Sequence, residues 1–327
     1  MTLGPPDNDA RASAPAGDGH GSAGKRTQRV LTGLLVIAAL AFLVRMLAPE
    51  IAAMRLSLAA IRWQQIAFAV LAAIPMFVLK GWYHLSLLDR INSAPSARRV
   101  DLPIYLQAQI VRYLPGKIWG VVYQTRRMSG THSPSEIVIA NLWQMAMTNA
   151  LSAGLIISLL LAFRYSHAWL LLLAPVIASV EWLHRHPAIE SWGLQQLSRF
   201  LPRLAPLAAN KPLPPMPWTG TILLCSEWIF YFLVFAVMLH GVAGLPERLL
   251  LGTWYGAASL LALAAFVVPA GLAVREAIFV AAPNVIGIDA ATLAVTAALA
   301  RLVFLGAEIA AATLASIITL SARHERR

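Results

Sequence analysis

Residues 137–163 run for 27 positions without a charged side chain. At about 1.5 Å of rise per helical residue such a run is longer than the ~30 Å hydrocarbon core of a bilayer. Seven further apolar segments lie near 30–47, 66–88, 103–123, 168–183, 218–240, 249–283 and 289–319. A chain built this way cannot be a soluble globule. Hydrophobic residues make up 58% of it and charged residues 13%, against about 25% charged in ordinary soluble domains. The expected fold is an all-α polytopic membrane protein with about six full transmembrane helices.

Two of the eight segments are broken. RYLPGKIWG (Arg112–Gly120) places Pro115 and Gly116 inside one, with Arg112 and Lys117 on either side. VVPAGLAVREA (Val267–Ala277) places Pro269 and Gly271 inside the other, followed by Arg275 and Glu276. Hydrocarbon supplies no water to freed backbone groups, so irregular backbone at depth must be surrounded by protein or line a polar cavity. Both are read as re-entrant segments.

The breaks recur at similar places in two halves. Segment 66–88 aligns with 218–240, and 137–163 with 289–319, at offsets near 152. Residue identity between halves is weak, so the repeat is one of segments: pseudo-repeats of about 30–163 and 168–319 within a single domain spanning 30–320. Interrupted segments in corresponding positions of two halves point to a transporter's binding site.

Charge counting orients the chain. With the breaks re-entrant and the N-terminus inside, 16 Lys and Arg fall on the cytoplasmic side, including those of the tails 1–29 and 321–327. Only five, Arg45, Arg55, Arg62, Arg164 and Arg248, fall outside. That bias follows the positive-inside rule, makes the two halves opposite in orientation, and accounts for the +11 net charge without nucleic acid. Residues 1–29 are rich in Gly, Ala, Pro and Ser and are expected to be disordered. Lys25, Arg26 and Arg29 before Val30–Val44 resemble a signal peptide, but no small-x-small site follows, which favours a retained anchor. Residues 51–65 read as an amphipathic interfacial helix, and 184–217, with seven prolines, as a loop with a surface helix.

Charges inside membrane segments cost about 2.5–3.5 kcal/mol each on insertion scales, so each needs a reason. Five cations (Lys80, Arg112, Lys117, Arg275, Arg301) stand against three carboxylates (Glu227, Glu276, Glu308). The excess favours an anionic ligand. Arg presents a planar fork that matches phosphate oxygens, and Lys adds a point charge. Arg112, Lys117, Arg275 and Arg301 are therefore the candidate phosphate-binding residues, with Glu227, Glu276 and Glu308 as supporting carboxylates. Such charges can equally pair with one another as glue between helices. Tyr113, Trp119 and Tyr123 are most simply interface anchors.

Signals for catalysis are poor. The chain has no P-loop, HExxH or GxSxG motif. Asp7-Asn8-Asp9 mimics a metal-nucleotide motif by chance in the tail, and His84 with Asp89 matches acyltransferase spacing only. The lone Cys225 excludes an internal disulfide and a Cys-based metal site. No catalytic residue, metal or cofactor is expected.

RYLPGKIWG, the following Arg126-Arg127, and PAGLAVREA with Arg301 resemble the transmembrane region of lysylphosphatidylglycerol synthases, a flippase-like domain family. The resemblance covers about 30–320 and departs at Ala273, where the family commonly has Gly. It implies a bacterial inner-membrane protein that moves an anionic phospholipid or a polyprenol-phosphate-linked lipid between leaflets. The aminoacyltransferase domain of the synthases is missing, so aminoacylation is not carried over. Two alternatives stay open: a non-transporting membrane partner of a lipid- or glycan-modifying enzyme, and, less favoured, an embedded transferase.

Overall fold

The computed structural model describes residues 62–92, 96–111, 118–200, 214–241, 243–264, 274–281 and 287–324. The tail 1–29, the run 30–47, residues 51–61, and both breaks with Arg112, Pro115, Gly116, Lys117, Pro269 and Gly271 lie outside the described residues. Those described form ten α-helices: α1 (Trp63–Asn92), α2 (Arg98–Val111), α3 (Trp119–Arg127), α4 (Pro134–Arg164), α5 (Leu173–Arg185), α6 (Pro187–Phe200), α7 (Trp218–Met238), α8 (Leu245–Ala264), α9 (Val274–Val280) and α10 (Ala290–His324). No strand forms among them, and the chain is an all-α polytopic membrane protein.

Five stretches are long and apolar enough to cross a bilayer: α1, α4, α5 with the 3₁₀ turn before it (His167–Arg185), α7, and α10 as far as Ile318. They coincide with five of the six full spans expected from the sequence. Local chemistry sets their starts. Ser133 caps α4 in a complete capping box: its hydroxyl accepts from the Glu136 N–H at 3.3 Å, and Glu136 Oε2 accepts from the Ser133 N–H at 2.9 Å. Pro134 follows at the first helical position, where a missing N–H costs nothing. Asp289 caps α10, accepting from the Thr292 N–H at 2.8 Å and hydroxyl at 2.7 Å.

Each broken segment is a pair of helices packed side by side. Helices α2 and α3 flank 112–117 and fold back on one another, joined by the Tyr123 hydroxyl on Gln107 Oε1. Tyr123 thus ties the two legs together and packs partly against the core. Trp119, 43% exposed, lies at the surface. Helices α8 and α9 flank 265–273 in the same way, with Trp254 Nε1 donating to the Phe279 carbonyl at 3.0 Å and the rings of Tyr255 and Phe279 edge to face at 5.3 Å.

The long helices α1 and α7 form the most extensive pair and run antiparallel. Gln65 meets His240, Lys80 meets Glu227, and Arg90 meets the Pro214 carbonyl, so residue numbers rise in one helix as they fall in the other. A buried relay braces their end nearest Asn92. The Tyr83 hydroxyl lies 2.9 Å from His184 Nε2, His184 Nδ1 lies 2.9 Å from the Thr221 hydroxyl, and that hydroxyl donates to Glu181 Oε2 at 2.6 Å. Because the Thr221 hydroxyl spends its proton on Glu181, His184 must carry a proton on Nδ1.

The order helix, hairpin, helix occurs at α1–α4 and again at α7–α10. The first leg of each hairpin packs on the last long helix of the other half: α2 on α10 and α8 on α4. Gln107 donates to the Ser316 hydroxyl at 2.8 Å, and Gly256 lies against Ile156, which fix the two crossings.

Candidate functional site

A cavity of about 550 Å³ opens among α1, α4, α7, α8, α9 and α10. Lys80 lies about 25 Å along α1 from Trp63, and Glu227 faces it near the middle of α7, so the cavity sits at mid-depth of the spans. Its polar groups are Lys80, Glu227, Arg275, Arg301 and Glu308, with Thr148, Asn149, Ser152 and Ser259. Its apolar wall holds Met76, Phe77, Met145, Trp228, Tyr231, Tyr255 and Phe304.

The wall is built by aromatic packing. Tyr231 stacks on Phe304 at 5.8 Å with planes 6° apart, and its hydroxyl donates to the Gly252 carbonyl at 2.8 Å. Tyr255 presents its face to the Arg275 guanidinium, 4.6 Å from ring centre to carbon, a cation–π contact that holds the arginine in place.

The charges are paired, two of the pairs across helices. Lys80 Nζ lies 3.3 Å from Glu227 Oε1. Arg275 Nη2 and Arg301 Nη1 both donate to Glu276 Oε1, at 2.6 and 3.0 Å. Glu276 stands behind the two arginines, and Glu308, buried, lies one face-repeat below Arg301 on α10. The structure therefore brings together Arg275, Arg301, Glu227, Glu276 and Glu308, five of the seven charged residues expected at the site. Arg112 and Lys117 lie outside the described residues. Lys80, which the sequence reading counted but did not place at the site, belongs there. Its signal was available: a lone cation mid-span on α1, opposite the lone carboxylate mid-span on α7.

Among the described residues three cations meet three carboxylates, so the positive excess read from the sequence rests on Arg112 and Lys117 alone. The candidate phosphate-binding residues came from both broken segments, and the breaks themselves lie outside the described residues. Both legs of the second hairpin line the cavity, but no described residue of the first hairpin does. In the crossing of the halves, α8 packs against α4 and α2 against α10.

His84 and Asp89 do not form a catalytic pair. His84 is fully buried and bonds Gln144 Oε1 at 3.0 Å, while Asp89 accepts from the Ser96 N–H and Arg98. Among the described residues no cluster of three or more His, Cys, Asp or Glu could hold a metal ion. Cys225 is half-buried beside the core, a packing residue.

Comparison with known proteins returns no matching protein-family model, no matching curated protein and no matching solved structure. The likeness to the lysylphosphatidylglycerol synthase transmembrane region accordingly stands on its motif residues alone.

Proposed function

We propose that this protein translocates an anionic phospholipid, or a polyprenol-phosphate-linked lipid, between the leaflets of the bacterial inner membrane, with both termini in the cytoplasm. The observation that carries the reading is the mid-depth cavity in which Arg275, Arg301 and Lys80 face one space beside an apolar aromatic wall. Its volume lies within the ~300–1,000 Å³ of sites that enclose small ligands, enough for a headgroup but not for acyl chains. A headgroup crossing hydrocarbon must lose its water, and guanidinium forks replace that water with fixed donors. The aromatic and Met side chains suit the neck of a lipid whose tails remain in the bilayer.

The charge bias of the loops supports cytoplasmic termini. The motif resemblance supports a lipid as cargo. Arg112 and Lys117 are proposed to complete the anion preference.

Purified protein in liposomes carrying fluorescent phosphatidylglycerol tests the reading through the dithionite-accessible fraction over time. Translocation above protein-free vesicles is expected, with at least a tenfold slower rate for Arg301→Gln. A wild-type rate equal to that of empty vesicles would sink the proposal in favour of a non-transporting partner of a lipid- or glycan-modifying enzyme.

A further inference from the structure

Two arginines share a single oxygen at this site. Glu276 Oε1 accepts from Arg275 at 2.6 Å and from Arg301 at 3.0 Å. Glu276 Oε2 is buried with no hydrogen-bond partner among the described residues, and so is Arg275 Nε. A guanidinium and a carboxylate normally satisfy each other edge to edge, with two parallel bonds. Here neither arginine does so, and each contributes one of its five N–H groups to the same atom. The donor set exceeds what one carboxylate oxygen can use. An oxyanion with three or four oxygens around one centre could use the remainder.

The two arginines are held differently. Arg275 is the sequence neighbour of Glu276 and lies on the Tyr255 ring. Arg301 comes from another helix, lines the cavity, and keeps about a third of its side chain exposed. It is free to change partner without unpacking the hairpin.

Resting on the reading that the cavity takes an anionic headgroup, we infer that Glu276 is a placeholder for the substrate's oxyanion. It holds the two guanidinium groups while the cavity is empty, and an entering phosphate takes Arg301 from it by exchange of ion-pair partner. Arg275 stays with Glu276 and keeps that carboxylate from being stranded. The exchange also removes a tie, because Arg301–Glu276 joins the short leg α9 to α10. The ligand class is a phosphate oxyanion, carried on a lipid or free.

The test is calorimetric binding to the full-length protein in detergent at fixed ionic strength. The probes are dihexanoylphosphatidylglycerol and inorganic phosphate, titrated separately. Removing the internal competitor with Glu276→Gln is expected to tighten binding at least tenfold, and Arg301→Gln to abolish it. Glu227→Gln removes an equal charge, from the cavity wall itself, but frees Lys80 and no arginine, so its gain is expected to be several-fold smaller. Equal gains for the two variants would mean plain electrostatics and overturn the exchange. Should Glu276→Gln fail to fold, Glu276→Asp, one methylene shorter and so drawn back from Arg301 on α10, is expected to show the same tightening.

A gain with the lipid alone assigns the site to a headgroup on its lipid; a gain with both probes shows that the oxyanion suffices. Wild-type binding with no gain in a folded Glu276 variant overturns the placeholder and leaves the translocation reading standing. Absence of binding in wild type and every variant overturns both.

Discussion

Lys80 and Glu227 illustrate what a single ion pair means inside a membrane bundle. They meet 3.3 Å apart between the two most closely packed helices, and each alone would be an uncompensated charge at mid-depth. Breaking such a pair from one side costs about 3–5 kcal/mol, whereas replacing both partners with apolar side chains is often close to neutral. Lys80→Met is therefore expected to lower the thermal midpoint in detergent sharply, and Lys80→Met with Glu227→Leu to recover most of it. A double variant as unstable as the single one would show that the pair's geometry, not its charge balance, holds the helices. Asp289 works at the other extreme, near the surface. Partial burial pushes its carboxyl up, but hydrogen bonds from the Thr292 N–H and hydroxyl outweigh that and hold it below the usual carboxylate range. Its folded pKa lies below the unfolded one, so its contribution is present above the unfolded value and fades as pH falls through the folded value. Asp289→Ala is expected to cost about 0.5–2 kcal/mol near neutral pH. The difference from wild type should shrink below about pH 4 in unfolding scans, where the unfolded carboxyl is itself protonated.

Helix by helix, the sequence was legible where chemistry is local. The Ser133-Pro134-Ser135-Glu136 signature placed the start of α4 because a capping box needs only two residues three apart. Spans 218–240 and 289–319 were placed to within a few residues by their hydropathy alone. Helix contacts were not legible, since they depend on which surfaces meet. Gly154 is such a case: nothing in the charge-free run 137–163 marks it as close-packed. Yet a Cβ there would run into both methyls of Val176 on α5, the farther at 2.7 Å. Val is stiff at χ1 and cannot swing aside. Gly154→Ala is expected to destabilise by about 1–3 kcal/mol, and Val176→Ala in the same chain to restore most of the loss, read as the midpoint of thermal unfolding. No rescue would place the strain in the backbone of α4 instead.

Taken whole, the molecule is tied together by exchange between its halves. Each hairpin packs on helices of its own half, but α2 also rests on α10 and α8 on α4, so each half covers part of the other's hairpin. Chains split within 201–213 are expected to co-purify when expressed together and to be degraded or aggregated when expressed singly. A first half that is monodisperse alone on size exclusion would contradict this interdependence. The cavity shows the same division between what was readable and what was not. That Arg275, Arg301, Glu227, Glu276 and Glu308 would converge followed from the cost of intramembrane charge, which forces ionisable groups toward each other and away from lipid. Which carboxylate serves Lys80 and which serves Arg301 did not follow, because those partners come from different helices and the choice is geometric. Nor did the balance of three cations to three carboxylates, or the absence of the first hairpin's described residues from the wall.

The sequence by itself determined the class, the number and bounds of the described spans, and which ionisable residues had to be buried. All of these follow from transfer free energies and local hydrogen bonding, which act residue by residue. Only the tertiary structure decided that the hairpins cross between halves, that Lys80 belongs to the site, and that two arginines share one oxygen of Glu276. Those depend on which helix faces meet, and packing between distant segments leaves no local trace in the order of residues.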